Sequence, residues 1–225
     1  MTREADVVTS LVEIADSLVD DYDVVDMLTG VAGRCVSLLG VSAAGVMLAS
    51  PGGSLGLVAS SSEAMRVLEL FELQAQEGPC LDAFRTGEPV RQENLQAGTG
   101  RWPLFAAEAL NAGFTSALAL PLRLRELTLG ALNLLRASRE PMAEADAIVA
   151  RAFADLAAVS ITQYRTSAEA HRLNEQLSAA LAHPDWSVRA SAIHQLETME
   201  KRMAIPLLQT ALQDEHAAVR AAAVV

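Results

Sequence analysis

Residues 71–90 read FELQAQEGPCLDAFRTGEPV. A helical pattern breaks at Gly78-Pro79, restarts for one or two turns, and breaks again at Thr86-Gly87 because glycine and proline interrupt helices. A strand is predicted to begin at Pro89. This order predicts a short mobile lid that carries the thiol of Cys80 over one face of a sheet.

The flanking segments predict an α+β layer fold. Residues 4–20 have apolar residues at spacings of three and four, which indicates an amphipathic helix. Asp23 is predicted to cap a second helix that ends at Leu39. Four apolar runs predict two antiparallel hairpins and cover residues 44–49, 55–60, 116–124 and 128–136. Helices precede, separate and follow these hairpins, which is typical of an antiparallel sheet flanked by helices.

Residues 71–90 and 115–135 resemble the matching segments of GAF domains, in particular those of actinobacterial regulators that join a GAF domain to an RNA-binding ANTAR domain. The resemblance extends over residues 5–165 and implies a GAF/PAS-like antiparallel sheet. In GAF domains a ligand lies between the sheet and its covering helices. Carried over to this sequence, the resemblance implies a ligand site lined by Val46, Leu48, Phe71, Glu77, Cys80, Trp102, Phe105, Ala117, Ala119 and Leu132.

Cys80 has three interpretations. At the beginning of a short helix, amide dipoles would lower the pKa of its thiol and allow redox sensing. Alternatively, Cys80 lines a pocket or simply packs in the core, as is expected of Cys35. We expect no enzyme, since the methionine sulfoxide reductases of the GAF fold need several cysteines around one pocket. The histidines form no metal-binding pair, so no metal site is predicted, and the sequence names no cofactor.

A long helix is predicted from Glu144 until Pro184 interrupts it. Its residues at 3-4 heptad spacing predict a parallel homodimer through a coiled coil. They are Leu156, Val159, Gln163, Thr166, Ala170, Leu173, Leu177 and Ala180. The predicted domains are a GAF-like sensor over residues 1–165, a helical linker or coiled coil over 166–182, and a helical tail over 183–225.

The tail contains an internal repeat. Four residues recur after 31 positions: Leu181, Val188, Arg189 and Ala192 as Leu212, Val219, Arg220 and Ala223. The pattern resembles HEAT-type helical repeats, in which each unit buries an apolar face against its neighbour. A protein partner at this tail is therefore expected.

Charge and hydropathy narrow the functional classes. The net charge is −11 with no basic cluster, which disfavours binding to phosphate backbones. We find neither a signal peptide nor an apolar stretch that could span a membrane, and predict a cytoplasmic protein. The favoured function is a bacterial signalling protein whose GAF-like domain senses a small molecule or redox state and relays it through a dimeric helix.

Two other functions stay open. The GAF-like domain could serve only as a dimerisation and protein-docking scaffold. The chain could also be a divergent GAF–ANTAR antiterminator that binds RNA, because residues 167–181 resemble the helix that leads into ANTAR domains. Against this, His183-Pro184-Asp185-Trp186 departs from the three-helix RNA-binding pattern.

Overall fold

The computed structural model describes residues 3–16, 23–138, 140–196 and 201–224. The chain divides into two compact units, Met1–Tyr164 and Arg165–Val225. Within the described ranges, none of the helices combines the length and apolar composition that crossing a membrane requires.

Two helices begin the first unit, α1 (Arg3–Asp16) and α2 (Val24–Leu39). The Asp23 side chain caps α2, since its Oδ1 accepts a hydrogen bond of 2.7 Å from the Val25 amide. Gly40 ends α2 with φ of +60°, a conformation that favours glycine. The predicted end of the first helix, residues 17–20, lies outside the described residues.

A five-stranded antiparallel sheet forms the centre of the first unit, in the order β2-β1-β5-β4-β3. The strands are β1 (Ala43–Ala49), β2 (Leu55–Ser60), β3 (Val90–Gln92), β4 (Ser116–Leu124) and β5 (Leu127–Arg136). Both predicted hairpins and the α+β class are confirmed. The strand predicted to begin at Pro89 is observed as β3, an edge strand that begins one residue later and pairs with β4 through all three of its residues.

Alternating side chains give the sheet two apolar faces. One face packs against α1, α2 and the beginning of α6 (Glu144–Leu181). The other face packs against α3 (Glu63–Ala75), α4 (Pro79–Thr86) and α5 (Pro103–Asn111). We call this second side the lid face.

The second unit contains the end of α6 with α7 (Trp186–Leu196), α8 (Lys201–Ala211) and α9 (Ala217–Ala222). Its repeat is visible in two arginines. Arg189 Nη1 donates to the backbone carbonyls six and five residues before it, at 2.8 and 3.0 Å. Arg220 Nη1 makes the same two bonds at 2.7 and 2.9 Å. Arg189 also pairs with the Asp214 carboxylate at 2.8 and 2.9 Å, which joins one repeat to the next.

Three of the predicted coiled-coil positions pack within the units. Leu177 is buried in the second unit with Ala192 and Leu196, while Leu156 in the first unit and Ala180 in the second are partly buried against the cores. The inclusion of Leu177 in a dimer seam was wrong, because its side chain is already buried within its own chain. The coiled coil itself stays a prediction. Val159 and Leu173 are exposed, by 37% and 38%.

Candidate functional site

The lid consists of α4 and its flanking turns, residues 76–87. Gln76, Gly78 and Gly87 all have positive φ, of 58°, 146° and 69°. Two features favour glycine at position 78: its positive φ, and the close approach of Glu72, whose Oε1 would lie 2.3 Å from a Cβ there. The left-handed turns therefore set the path of the chain at both ends of the short helix.

Glu72 of α3 is fully buried below the beginning of the lid. Its Oε1 accepts hydrogen bonds from the amides of Cys80 at 2.7 Å and Leu81 at 3.2 Å. Its Oε2 accepts one of 3.3 Å from Asn133 Nδ2. Burial raises the pKa of Glu72 to about 8, although the two amide hydrogen bonds act in the opposite direction. Glu72 thus connects α3, the lid and β5.

Glu69 lies one helical turn before Glu72 and is also fully buried. Both of its carboxylate oxygens, and Asn133 Oδ1, have no hydrogen-bond partner among the described residues. The carboxylate lies against Gly45, where a Cβ would be 2.2 Å from Oε2. Gly45 pairs across strands with Asn133. Burial, and secondarily the charge of Glu72, raise the pKa of Glu69 well above its ordinary value.

These three residues form what we call the acidic nest: Glu69, Glu72 and Asn133. Leaving a polar atom buried without a partner costs about 1–3 kcal/mol. No lysine, arginine or histidine forms an ion pair with either glutamate among the ion pairs of the described ranges. Negative charge in the nest is therefore uncompensated by the surrounding side chains.

Polar contacts also hold α5 against the lid. Glu77 Oε1 accepts from the amides of Leu104 at 2.5 Å and Phe105 at 3.0 Å, and so caps α5. Trp102 Nε1 donates to Asp82 Oδ2 at 2.9 Å across the same junction. Because these bonds join the lid to α5, a movement of the lid would displace or loosen the beginning of α5.

The structure brings only part of the predicted ligand set together. Five of the ten residues lie buried in one cluster on the lid face: Cys80, Trp102, Phe105, Ala117 and Ala119. Val46 and Leu132 are buried on the opposite face, and Leu48 packs there as well. Their placement beside the others was wrong because neighbouring residues of a strand point to opposite faces. In β1 the lid-face residues are Ala43, Gly45 and Met47.

The two remaining predicted residues take other positions. Phe71 is half-buried and lies outside both of the sheet's apolar clusters. The carboxylate of Glu77 caps α5, as described above. Between the lid and the sheet, five of the residues predicted to line a ligand site lie with the acidic nest and the other buried side chains of the lid-face cluster.

The acidic nest itself was not predicted. Two signals in the sequence could have found it. Glu69 and Glu72 share the helix face that carries Met65 and Leu68, where a solvent-facing charge is not expected. Asn133 is the polar residue in the otherwise apolar stretch 129–135 of β5.

Burial decides the chemistry of Cys80. Desolvation, with the nearby Glu72 and Glu69 charges, raises the pKa of its thiol well above the ordinary value. Of the three interpretations of Cys80, this direction argues against a pKa lowered at the helix N-terminus, because burial outweighs the amide dipoles. Burial also raises the pKa of Cys35 to about 12, as fits a core residue.

Comparison with known proteins gives two family matches. The model of the GAF domain family matches residues 21–162. The model of HEAT repeats matches residues 174–225, which include the end of α6. Among the curated proteins, none matches this sequence.

Solved structures share the fold at low identity. A GAF domain from an Acinetobacter phosphoenolpyruvate-protein phosphotransferase is 16% identical, with 74% of this chain and 97% of that chain covered and a TM-score of 0.56. The phycocyanobilin-bound GAF domain of a cyanobacterial phytochrome is 15% identical, with 74% and 97% covered and a TM-score of 0.58. The free methionine-R-sulfoxide reductase of Neisseria meningitidis, in complex with its substrate, is 18% identical, with 74% and 95% covered and a TM-score of 0.57.

Proposed function

The chain belongs to the GAF domain family, and on that premise we propose that its first unit binds a small molecule beneath the lid and that its HEAT-like region presents the response to a partner protein. GAF domains are commonly signalling domains that sense small molecules. Two structures of the same fold are described as bound to a small molecule, one to phycocyanobilin and one to its substrate.

The observation that carries the proposal is the unpartnered carboxylate of Glu69. A native fold rarely leaves such a group buried without a hydrogen bond, and a bound molecule is one physical explanation for an exception. A ligand with hydrogen-bond donors would satisfy Glu69 and Asn133 together. The free energy gained there would favour the closed lid over any open state.

The lid is suited to such a role by its contacts. It closes on Glu72 through two amides, and it reaches α5 through Asp82 and Trp102. A ligand that moves Glu69 or Asn133 changes the environment of Glu72 and hence the lid. The long helix α6 begins in the first unit and ends in the second, and would transmit the change.

We favour small-molecule sensing over redox sensing, since the Cys80 thiol is buried with a raised pKa. RNA binding is not proposed, because the HEAT-repeat match occupies residues 174–225. Homodimerisation remains compatible with exposed apolar residues of the first unit. Val8 and Val12 of α1 and Ile148 of α6 are exposed by 59%, 51% and 63%.

Native mass spectrometry tests the proposal. The full chain is purified from the cells that naturally make it, and its mass is measured before and after denaturation. We expect a native mass excess of small-molecule size that disappears on denaturation. A bare native chain, together with no stabilisation by the low-mass extract of the same cells, would reject ligand binding and leave the scaffold function in its place.

A further inference from the structure

Every unpartnered polar atom of the acidic nest is a hydrogen-bond acceptor in the arrangement described. Glu69 offers Oε1 and Oε2, and Asn133 offers Oδ1. The donor side of the Asn133 amide is already used, since Nδ2 bonds to Glu72 Oε2. When both glutamates are ionised, these three acceptors receive no hydrogen bond from the described residues, and donors from a ligand would satisfy them.

The charges around the acidic nest determine whether the group that donates these hydrogen bonds is a cation or an anion. Glu69 and Glu72 lie one helical turn apart on α3, and the charge of Glu72 adds to burial in raising the pKa of Glu69. The amides at the beginning of the lid bond to Glu72 alone, which leaves Glu69 with no compensating group. An anion would be repelled here, whereas a cation would permit both carboxylates to ionise.

The surrounding walls select the rest of the molecule. The apolar cluster of the lid face includes Met47, Met65, Trp102 and Phe105, and Met65 lies on α3 together with both glutamates. Ala117 and Ala119, on β4, belong to the same cluster. A ligand site of this kind accepts an apolar body and orients it through a few polar groups.

We infer that the ligand of the first unit is an organic amine, bound as its ammonium ion with three N–H groups directed at Glu69 Oε1, Glu69 Oε2 and Asn133 Oδ1. An ammonium group carries three donors and no acceptor, which matches the three free acceptors in number and in charge. This inference rests on the proposed function and names the ligand class for the same site. Within the described residues, no group of three or more His, Cys, Asp or Glu side chains could hold a metal ion instead.

For the amine to enter, the Glu69 side chain must first change its position. The Glu69 carboxylate occupies the space beside Gly45, so it must turn away from that strand as the amine enters. Movement of the lid about its left-handed flanking turns would open the way. Because burial holds the pKa values of both glutamates high, amine binding at about pH 6 would also release protons.

The experiment compares three probes of one shape on the full chain: 2-phenylethylamine, 2-phenylethanol and 3-phenylpropionate. Binding is measured by calorimetry in two buffers of different ionisation enthalpy, and by NMR at the Cys80 and Leu81 amides. We expect the amine to bind at least tenfold more tightly than the alcohol, with proton release, and the acid to show no binding.

Glu69→Gln is the decisive variant. Its side chain keeps the shape of glutamate, but it cannot ionise and it replaces one acceptor oxygen with an amide donor. We expect amine affinity to fall at least tenfold. Glu63→Gln, on the same helix but exposed and paired with Arg66, is the matched control and should bind the amine as the unmodified chain does. A thermal melt of each variant confirms folding.

Equal amine affinity in Glu69→Gln, or no amine binding at all, would overturn the inference. In that case a more stable Glu69→Gln would identify Glu69 as a protonated core residue. The proposed function would still stand if a neutral or anionic compound, or a ligand retained from the cells, shifted the Cys80 and Leu81 amides. It would fail together with the inference if no compound did so and the native chain were bare.

Discussion

Replacing Glu72 by glutamine should change how the first unit's stability depends on pH. A carboxyl group whose pKa is raised in the fold binds its proton more tightly in the folded than in the unfolded chain. Stability is therefore greatest at low pH and falls as pH rises through the range between the two pKa values. For Glu72 this range runs from the ordinary value of 4.5 to about 8.

The size of the effect follows from the same two values. Each unit of pKa shift corresponds to about 1.4 kcal/mol, so Glu72 alone should lower the free energy of unfolding by about 3 kcal/mol between about pH 5 and about pH 8. Glutamine keeps an acceptor for the Cys80 and Leu81 amides. The Asn133 amide can turn to accept from the new Nε2, so the variant should fold.

Urea unfolding followed by tryptophan fluorescence measures this difference. The background is Trp186→Phe, which leaves the buried Trp102 beside the lid as the reporter of the first unit. Between about pH 5 and about pH 8, the free energy of unfolding should decrease by about 3 kcal/mol less in Glu72→Gln than in the background chain. In Glu63→Gln the decrease should be the same as in the background chain. The same decline in Glu72→Gln and in the unmodified chain would refute a buried carboxyl held protonated by the fold.

Three further predictions concern other parts of the structure. Gly78→Ala should destabilise the first unit by about 2 kcal/mol or more, because the backbone has a positive φ there and a Cβ would clash with Glu72. The control Gly33→Ala lies in α2 with open space around it and should stabilise the unit by up to about 1 kcal/mol. Equal urea midpoints for the two variants would contradict the lid geometry. Arg189→Ala should lower the melting temperature of the second unit, because it removes the buried ion pair with Asp214. The decrease should be larger than for Arg172→Ala, which removes an exposed ion pair with Glu169. Equal shifts in circular dichroism melts would argue against a repeat joined by Arg189. Cys80 should not react with iodoacetamide in the native chain, because burial keeps its thiol protonated; rapid alkylation detected by peptide mass spectrometry would restore redox sensing.

The sequence predicted what depends on local pattern. Asp23 and Gly40 mark the ends of α2 because capping and a left-handed turn are decided by the residue at that position. The two hairpins follow from apolar runs and the turns between them. Residues 78 and 87 mark the ends of α4 for the same reason.

The site depended on contacts that local pattern does not contain. Val46, Leu48 and Leu132 were placed on the wrong face, since the face of a strand residue depends on which side the covering helices pack. Glu69 was missed because a glutamate on a helix is usually exposed, and only the packing of α3 on Gly45 shows that this one is buried. The seam predicted in α6 included Leu177, which packs within the repeat unit instead.

Hydrogen exchange at the Cys80 and Leu81 amides is the most direct measurement of small-molecule binding beneath the lid. Both amides bond to Glu72, so they exchange only when the lid opens locally. Adding 2-phenylethylamine, or the small molecule retained by the native chain, should slow their exchange at least tenfold, and the amides of α2, on the other side of the sheet, should change much less. Exchange at Cys80 and Leu81 that stays the same with every compound that binds the chain would contradict a ligand site below the lid.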